Sequence, residues 1–169
     1  MVSVDIRMQA SALRASECLR NFLYGKRPVF LCIGSDKVIG DSLGPMVGSK
    51  LVEHSGGFVY GMLGKNVNAL NLNYAAEFIR ALHRDCCLVV VDSAIGEGSE
   101  VGTVQMYRGG LFPGAATNKN LPKIGDVSIL GVVSERGINE FLQLQTTKVS
   151  LVEQMSEFIF RAIQTAVGV

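Results

Sequence analysis

The chain carries almost no net charge: 16 Lys and Arg face 15 Asp and Glu among 169 residues. Without a field of one sign over its surface, it has nothing to attract nucleic acid or an anionic membrane, and neither is expected as a partner. Cysteine is scarce as well. Cys18, Cys32, Cys86 and Cys87 form no CxxC pair, and the adjacent Cys86 and Cys87 point to opposite faces of a strand. They read as reduced core residues of a cytosolic protein. No apolar run approaches the roughly 20 residues that cross a bilayer. The N-terminus, MVSVDIRMQASALRASECLR, spreads charge through a helical pattern and lacks the apolar block and small-residue cleavage site of a signal peptide. A soluble, cytoplasmic protein is expected. Histidine occurs only at His54 and His83. Repeats, low-complexity tracts and linkers are missing too, so residues 1–169 are expected to form a single domain with its own core.

What is present is an alternation of two periods. Residues 5–23 place Ile6, Leu13, Cys18, Leu19 and Leu23 at loosely helical spacing, and RPVFLCIG then runs continuously apolar to Gly34, as a strand buried on both faces does. Residues 43–54 return to the helical period through Leu43, Val47 and Leu51, followed by a short strand in GGFVYGM. Residues 70–84 form an amphipathic helix whose apolar positions are Leu70, Tyr74, Phe78 and Leu82. CCLVVVDSA and DVSILGVVS are again continuously apolar, whereas VGTVQMYR alternates and suits an edge strand. Residues 109–126, GGLFPGAATNKNLPKIGD, have no period, and a loop of that length inside a compact domain suggests function. Two helical stretches between 137 and 166 close the chain. This grammar predicts an α/β fold, a three-layer α/β/α sandwich around a mostly parallel, mixed sheet.

In such folds chemistry gathers at the carboxyl ends of the strands. After the first buried strand come Ser35, Asp36 and the loop to Asp41; at the end of the third come Asp92 and Ser93. Topology therefore brings Asp41 and Asp92 toward one another. The segment IGDSLGP also spells GDSL, a tetrapeptide of serine esterases, but a nucleophilic serine needs a histidine base within reach. His54 lies twelve residues along the helix that starts beside Ser42, roughly 18 Å away at 1.5 Å per residue, and His83 precedes its strand, at the opposite end from the carboxyl terminus. Ser42 is expected to be a helix N-cap instead. Gly34, Gly40 and Gly44 do not have GxGxxG spacing, and no GK[ST] phosphate loop occurs, so no nucleotide cofactor is implied. Asp126 is expected merely to precede a strand, and Cys32 to be core. Asn66, Asn68, Asn71 and Asn73 are expected mostly to cap and turn, with some available to line the cleft.

Taken in order, CIGSDKVIGDSLGPMVG, VVVDSAIGEG and FPGAATNKNLPKIGDVSILGVV resemble the germination protease family of spore-forming bacteria, most closely its short relatives, the YyaC-type sporulation proteins. The wider fold group includes the hydrogenase maturation endopeptidases. The resemblance implies an aspartic-type endopeptidase acting in sporulation or germination, in the cytoplasm, forespore or spore interior, with Asp41 and Asp92 as its catalytic carboxylates. It further implies a substrate-binding set of Gly34, Asp36, Gly40, Ser93 and Lys119, a protein or peptide substrate such as the small acid-soluble spore proteins, and self-association into a homo-oligomer. Asp36 reads either as a solvated turn residue or as a partner behind the acids. The chain departs from the resemblance in two ways. It is shorter than the germination proteases, and Phe112 stands where they have a histidine before Pro-Gly. Without that histidine, a tight nickel or zinc site loses its best ligand, and no metal or other cofactor is expected; a hard cation on two carboxylates and water stays chemically feasible. The other reading is a non-catalytic peptide-binding or assembly protein of the same fold.

Overall fold

The computed structural model describes residues 1–54, 57–112 and 123–168. Strand β1 (Val2–Asp5) leads to helix α1 (Ser11–Leu23), strand β2 (Pro28–Cys32), a 3-10 turn at Ile39–Ser42 and helix α2 (Leu43–His54). Then come β3 (Phe58–Tyr60), α3 (Leu72–Leu82), β4 (Cys87–Gly96), β5 (Thr103–Arg108), β6 (Val127–Glu135), α4 (Glu140–Gln145) and α5 (Val149–Val167). The six strands form one sheet in the order β1-β5-β6-β4-β2-β3. Neighbours from β6 through β4 and β2 to β3 run parallel, while β5 is antiparallel to both β1 and β6. The expected mixed, mostly parallel sheet is therefore present.

The continuously apolar runs occupy its interior because each must bury both faces. Phe30, Cys32, Val89, Val91, Val104, Met106 and Ile129 turn toward α1, α2 and α5, forming one core with Leu19, Leu51, Met155, Ile159 and Ile163. Val29, Leu31, Leu88 and Val90 turn the other way and pack with Leu72 and Ile79 of α3, and with Val67, Leu111 and Ile124 from connecting segments. Full burial of a side chain of this kind stabilises by about 1.5–3 kcal/mol relative to exposure.

Three sequence expectations need correction. The N-terminal helix starts at Ser11, not residue 5, because Val2–Asp5 pairs with β5 as a four-residue edge strand. Strand β5 is consequently not an edge. Its alternation arises from unequal covering of its two faces: Val104 and Met106 are buried under helices, whereas Gln105 and Tyr107 are only half-buried on the other side. In α3 the buried residues are Leu72 and Ile79, followed by buried His83. Leu70, Tyr74, Phe78 and Leu82, the stripe expected to be its core face, are exposed. The helix carries apolar residues on two faces, and the β-branched Ile79 with Leu72 fits the sheet.

Candidate active site

The main-chain path after β2 sets the position of Asp41. The Ile33 N–H still donates to the Val91 carbonyl of β4, and the chain then leaves the sheet through Gly34, whose φ of 141° suits only glycine. A Cβ at Gly34 would lie 2.0 Å from the Asp41 carbonyl oxygen, so the missing side chain lets the 3-10 turn pack directly on the strand end. Two backbone bonds hold the turn: Ser35 N–H donates to the Asp41 carbonyl (3.0 Å), and Asp41 N–H donates to Val38 (3.0 Å). Asp92 is placed by the sheet itself. Cys32 pairs with Val91, the last β2 partner on β4; one residue further, Asp92 is still opposite Leu130 of β6 but has no partner in β2. The two aspartates thus stand at a carboxyl-end crevice.

Both line one cavity of about 470 Å³, whose remaining wall is largely apolar. Ala94, Ile95, Tyr107 and Leu130 supply the sheet side, Leu111 and Phe112 the segment after β5, and Phe141 and Leu144 the α4 side, with Arg136 and Glu140 as further charged groups. This is the size and composition of a site that holds a few residues of an organic ligand. Asp92 is 8% exposed, and its Oδ1 accepts the Ser93 N–H at 2.8 Å. Burial raises its carboxyl well above the usual range; the neighbouring Asp41 charge raises it further, and the Ser93 bond opposes both. Burial pushes half-buried Asp41 up to about 6, partly offset by the Ser35 backbone N–H. Desolvation and the neighbouring charge therefore favour the protonated form of Asp92, the more deeply buried of the two acids.

Of the expected substrate-binding residues, Ser93 lines the cavity with the acids. Gly34 and Gly40 are buried and pack against protein: Gly34 against Asp41, and Gly40 against Leu144 and Thr147, whose atoms lie 2.8–2.9 Å from where a Cβ would stand. Asp36 is exposed, with its carboxylate accepting Gly64 N–H (2.8 Å) and Asn66 Nδ2 (2.6 Å). These bonds hold it below the usual carboxylate range and tie the loop after β2 to the loop after β3. Lys119 lies outside the described residues. Asn68 and Asn71 serve the turn before α3, where the Asn71 side chain accepts from Asn68 N–H and that of Asn68 accepts from Leu70 N–H, but Asn71 makes no side-chain cap bond to the helix. Asp126 does more than precede β6; it accepts two bonds from Arg80 of α3 (2.9 and 3.0 Å) and one from Leu88 N–H (2.8 Å), clamping helix to sheet. Cys32 is fully buried core, and burial raises its thiol.

Ser42 is not an N-cap. Its hydroxyl donates to the Ile39 carbonyl at 2.7 Å, closing the 3-10 turn, and approaches Met46 Sδ at 3.6 Å. His54 is bonded to the Lys50 carbonyl at the end of α2 (2.9 Å), and buried His83 to the Tyr60 hydroxyl (2.8 Å). Neither is placed to serve Ser42 as a base. Among the described residues no three His, Cys, Asp or Glu side chains cluster as a metal-binding set. Phe112 lines the cavity where a histidine would add a donor, so two carboxylates alone do not fit a tightly held transition metal. Tyr107, Leu130, Arg136 and Glu140 were not anticipated as site residues. Applying the carboxyl-end rule to β6 as well as to β2 and β4 points to 136–140, and the half-covered alternation of β5 points to Tyr107.

The chain is 39% identical over 137 residues to the Bacillus subtilis (strain 168) protein described as "Uncharacterized protein YyaC", covering 80% of this chain and 67% of that one. The crystal structure of the [NiFe] hydrogenase maturation protease HycI from Thermococcus kodakarensis KOD1 superposes with a TM-score of 0.58 at 19% identity, covering 87% of this chain and 99% of that chain. That likeness shows a shared fold. The family described as "Protein of unknown function (DUF1256)" matches residues 5–162, and the chain belongs to it.

Proposed function

We propose that the protein is a peptidase that hydrolyses a peptide bond between Asp41 and Asp92. The observation that carries this reading is the pair itself: two carboxyls of raised pKa, one half-buried and one buried, on the wall of one cavity. In the reaction, ionised Asp41 takes a proton from a water whose oxygen attacks the scissile carbonyl carbon. Protonated Asp92 gives its proton to the carbonyl oxygen, yielding a neutral gem-diol. Collapse of that intermediate breaks the C–N bond: the amide nitrogen leaves with the proton Asp41 had taken, and the diol proton returns to Asp92. Each such positioned proton transfer contributes roughly 10²- to 10⁴-fold. Leu130, Tyr107 and Ile95 supply the apolar surface against which substrate side chains lie. The ordered motifs that resemble the germination proteases, and the fold shared with a maturation protease, support the same chemistry. They also make the small acid-soluble spore proteins the first substrates to try and sporulation the setting.

The test is cleavage of those proteins and of a random peptide library by wild type, Asp41→Asn and Asp92→Asn. Turnover is expected in wild type and a loss of at least about 10²-fold in each variant. Variants that cleave like wild type, or a wild type that binds peptide in the cavity without cutting it, overturn the peptidase reading; the latter result establishes a peptide-binding protein.

A further inference from the structure

The edge of β4 beyond the end of β2 carries main-chain groups that the proposed chemistry does not use. Strand β4 runs on to Gly96, whereas its pairing with β2 stops at Cys32 opposite Val91. Along β4 the polar groups of successive residues point to alternate sides. Cys87 N–H donates to the Arg27 carbonyl, and the Val91 carbonyl accepts from Ile33 N–H, so odd-numbered residues turn their groups toward the β2 side. The Leu88 and Gly96 carbonyls accept from Asp126 N–H and Arg136 N–H, so even-numbered residues turn theirs toward the β6 side. The bond at Gly96 lies beyond the register shift between Ala94 and Ile95, and the alternation therefore survives it. Ser93 and Ile95 consequently direct their groups away from β6, to the side on which β2 has ended. Ser93 N–H is taken by Asp92 Oδ1 at 2.8 Å. Among the described residues, the Ser93 carbonyl and both main-chain groups of Ile95 have no partner.

The two residues that carry these groups are half-buried and line the cavity of Asp41 and Asp92. Main-chain groups in such a place need hydrogen-bonding partners. Acceptor, donor and acceptor follow one another along the edge at the spacing of a strand ladder, and the main chain of a second extended strand matches them. The match is short. At one end Ser93 N–H is engaged by Asp92, and at the other Glu97 N–H is held by Glu100 Oε2 (2.8 Å) in the turn that follows β4. A strand added there lies about 4.8 Å from β4, and its end beside Ser93 adjoins Asp92, the preceding residue of β4. We infer that the site takes its substrate as an extended segment of polypeptide, paired as an added strand to the Ser93 and Ile95 main chain. The inference deepens the peptidase reading and rests on it for what the cavity holds. It excludes a helical or folded segment, whose own hydrogen bonds occupy the groups that the edge requires.

The test uses the full chain carrying Asp41→Asn, expected to hold peptide uncut, and the tightest-binding peptide selected from a random seven-residue library. Whether the added strand runs parallel or antiparallel, the Ser93 and Ile95 carbonyls accept from peptide N–H groups two residues apart. Methylating the peptide amides one at a time is therefore expected to weaken binding about 10-fold at two positions so spaced, and to have little effect at the position between them. Ile95→Pro, which removes an N–H that the pairing with β6 does not use, is expected to weaken binding about 10-fold with unchanged circular dichroism. Saturating peptide is expected to slow hydrogen exchange at the Ile95 amide. A library without a binder, methylation without that spacing, or an Ile95 amide that exchanges equally fast with and without peptide overturns the strand addition. The peptidase reading fails separately: a wild type that cuts peptides without the methylation pattern overturns only the pairing, and one that shows the pattern and cuts nothing overturns only the peptidase.

Discussion

On one face of the sheet, α1, α2 and α5 cover the strands with a continuous apolar core; on the other, α3 covers β2 and β4, and the ground over β5 and β6 opens into the cavity. The strands contribute alternate residues to both sides, so one backbone serves two environments. Ile129 is sealed under the helices, whereas its neighbour Leu130 is half-buried and borders the acids. The contrast shows how a small domain separates tasks. Three helices stabilise the sheet well enough for the opposite side to keep an incompletely filled, polar-ended site that costs stability.

The sharpest way to expose this asymmetry is to truncate equivalent side chains on each face. Ile159→Ala, under the helices, is expected to cost about 2–5 kcal/mol in urea unfolding, while Leu130→Ala is expected to cost about 1 kcal/mol and instead to weaken peptide binding in the cavity. Equal losses would mean that the two faces bear the same load.

A second effect follows from the acids. Because their folded pKa values lie above those of an unfolded chain, the native protein retains protons that the unfolded chain releases from about pH 4 upward. Their contribution to stability is therefore complete in acid and declines as pH rises. For Asp41, with its folded value at about 6, the decline between pH 4 and 6 amounts to about 2–3 kcal/mol. Asp5, Asp36, Asp126 and Glu157 are shifted downward and give the opposite slope, so the measurement is the difference between wild type and Asp41→Asn. That variant is expected to be the more stable at pH 7. In the proposed reaction Asp41 acts in its charged form, so any peptide hydrolysis is expected to climb through pH 6 as this stability contribution falls. A pH-independent difference would show that Asp41 is not desolvated.

The smallest expected effect concerns the clamp on the thinner side. Asp126→Ala removes the half-exposed pair with Arg80 and the bond to Leu88 N–H. The cost is expected to be about 1 kcal/mol, with faster hydrogen exchange confined to α3 rather than α5.

Much of this organisation is legible in the chain. Continuous apolar runs in β2, β4 and β6 declare interior parallel strands, because only a strand covered on both sides excludes polar residues for that long. The carboxyl-end rule leads from those strands to Asp41 and Asp92. Other features are hidden for identifiable reasons. Val2–Asp5 is too short to display a period, and the pairing that makes it a strand comes from β5, about a hundred residues away. Tyr74 and Phe78 share the helical spacing of core residues, and spacing cannot tell a face buried by the sheet from one left exposed. Ser42 has the residue type of an N-cap, yet its hydroxyl turns back to Ile39.

By itself, then, the sequence determined the alternation of elements, the central strands and the positions where carboxylates emerge from them, since these depend on local period and on chain order. Only the tertiary structure decided that Gly34 and Gly40 are filled by Asp41, Leu144 and Thr147 rather than open to a ligand. It also decided that Arg136 and Glu140 join the cavity, and that burial raises both carboxyls above the usual range. Those properties depend on which distant atoms displace water from a given group, and that is a consequence of packing, not of sequence spacing.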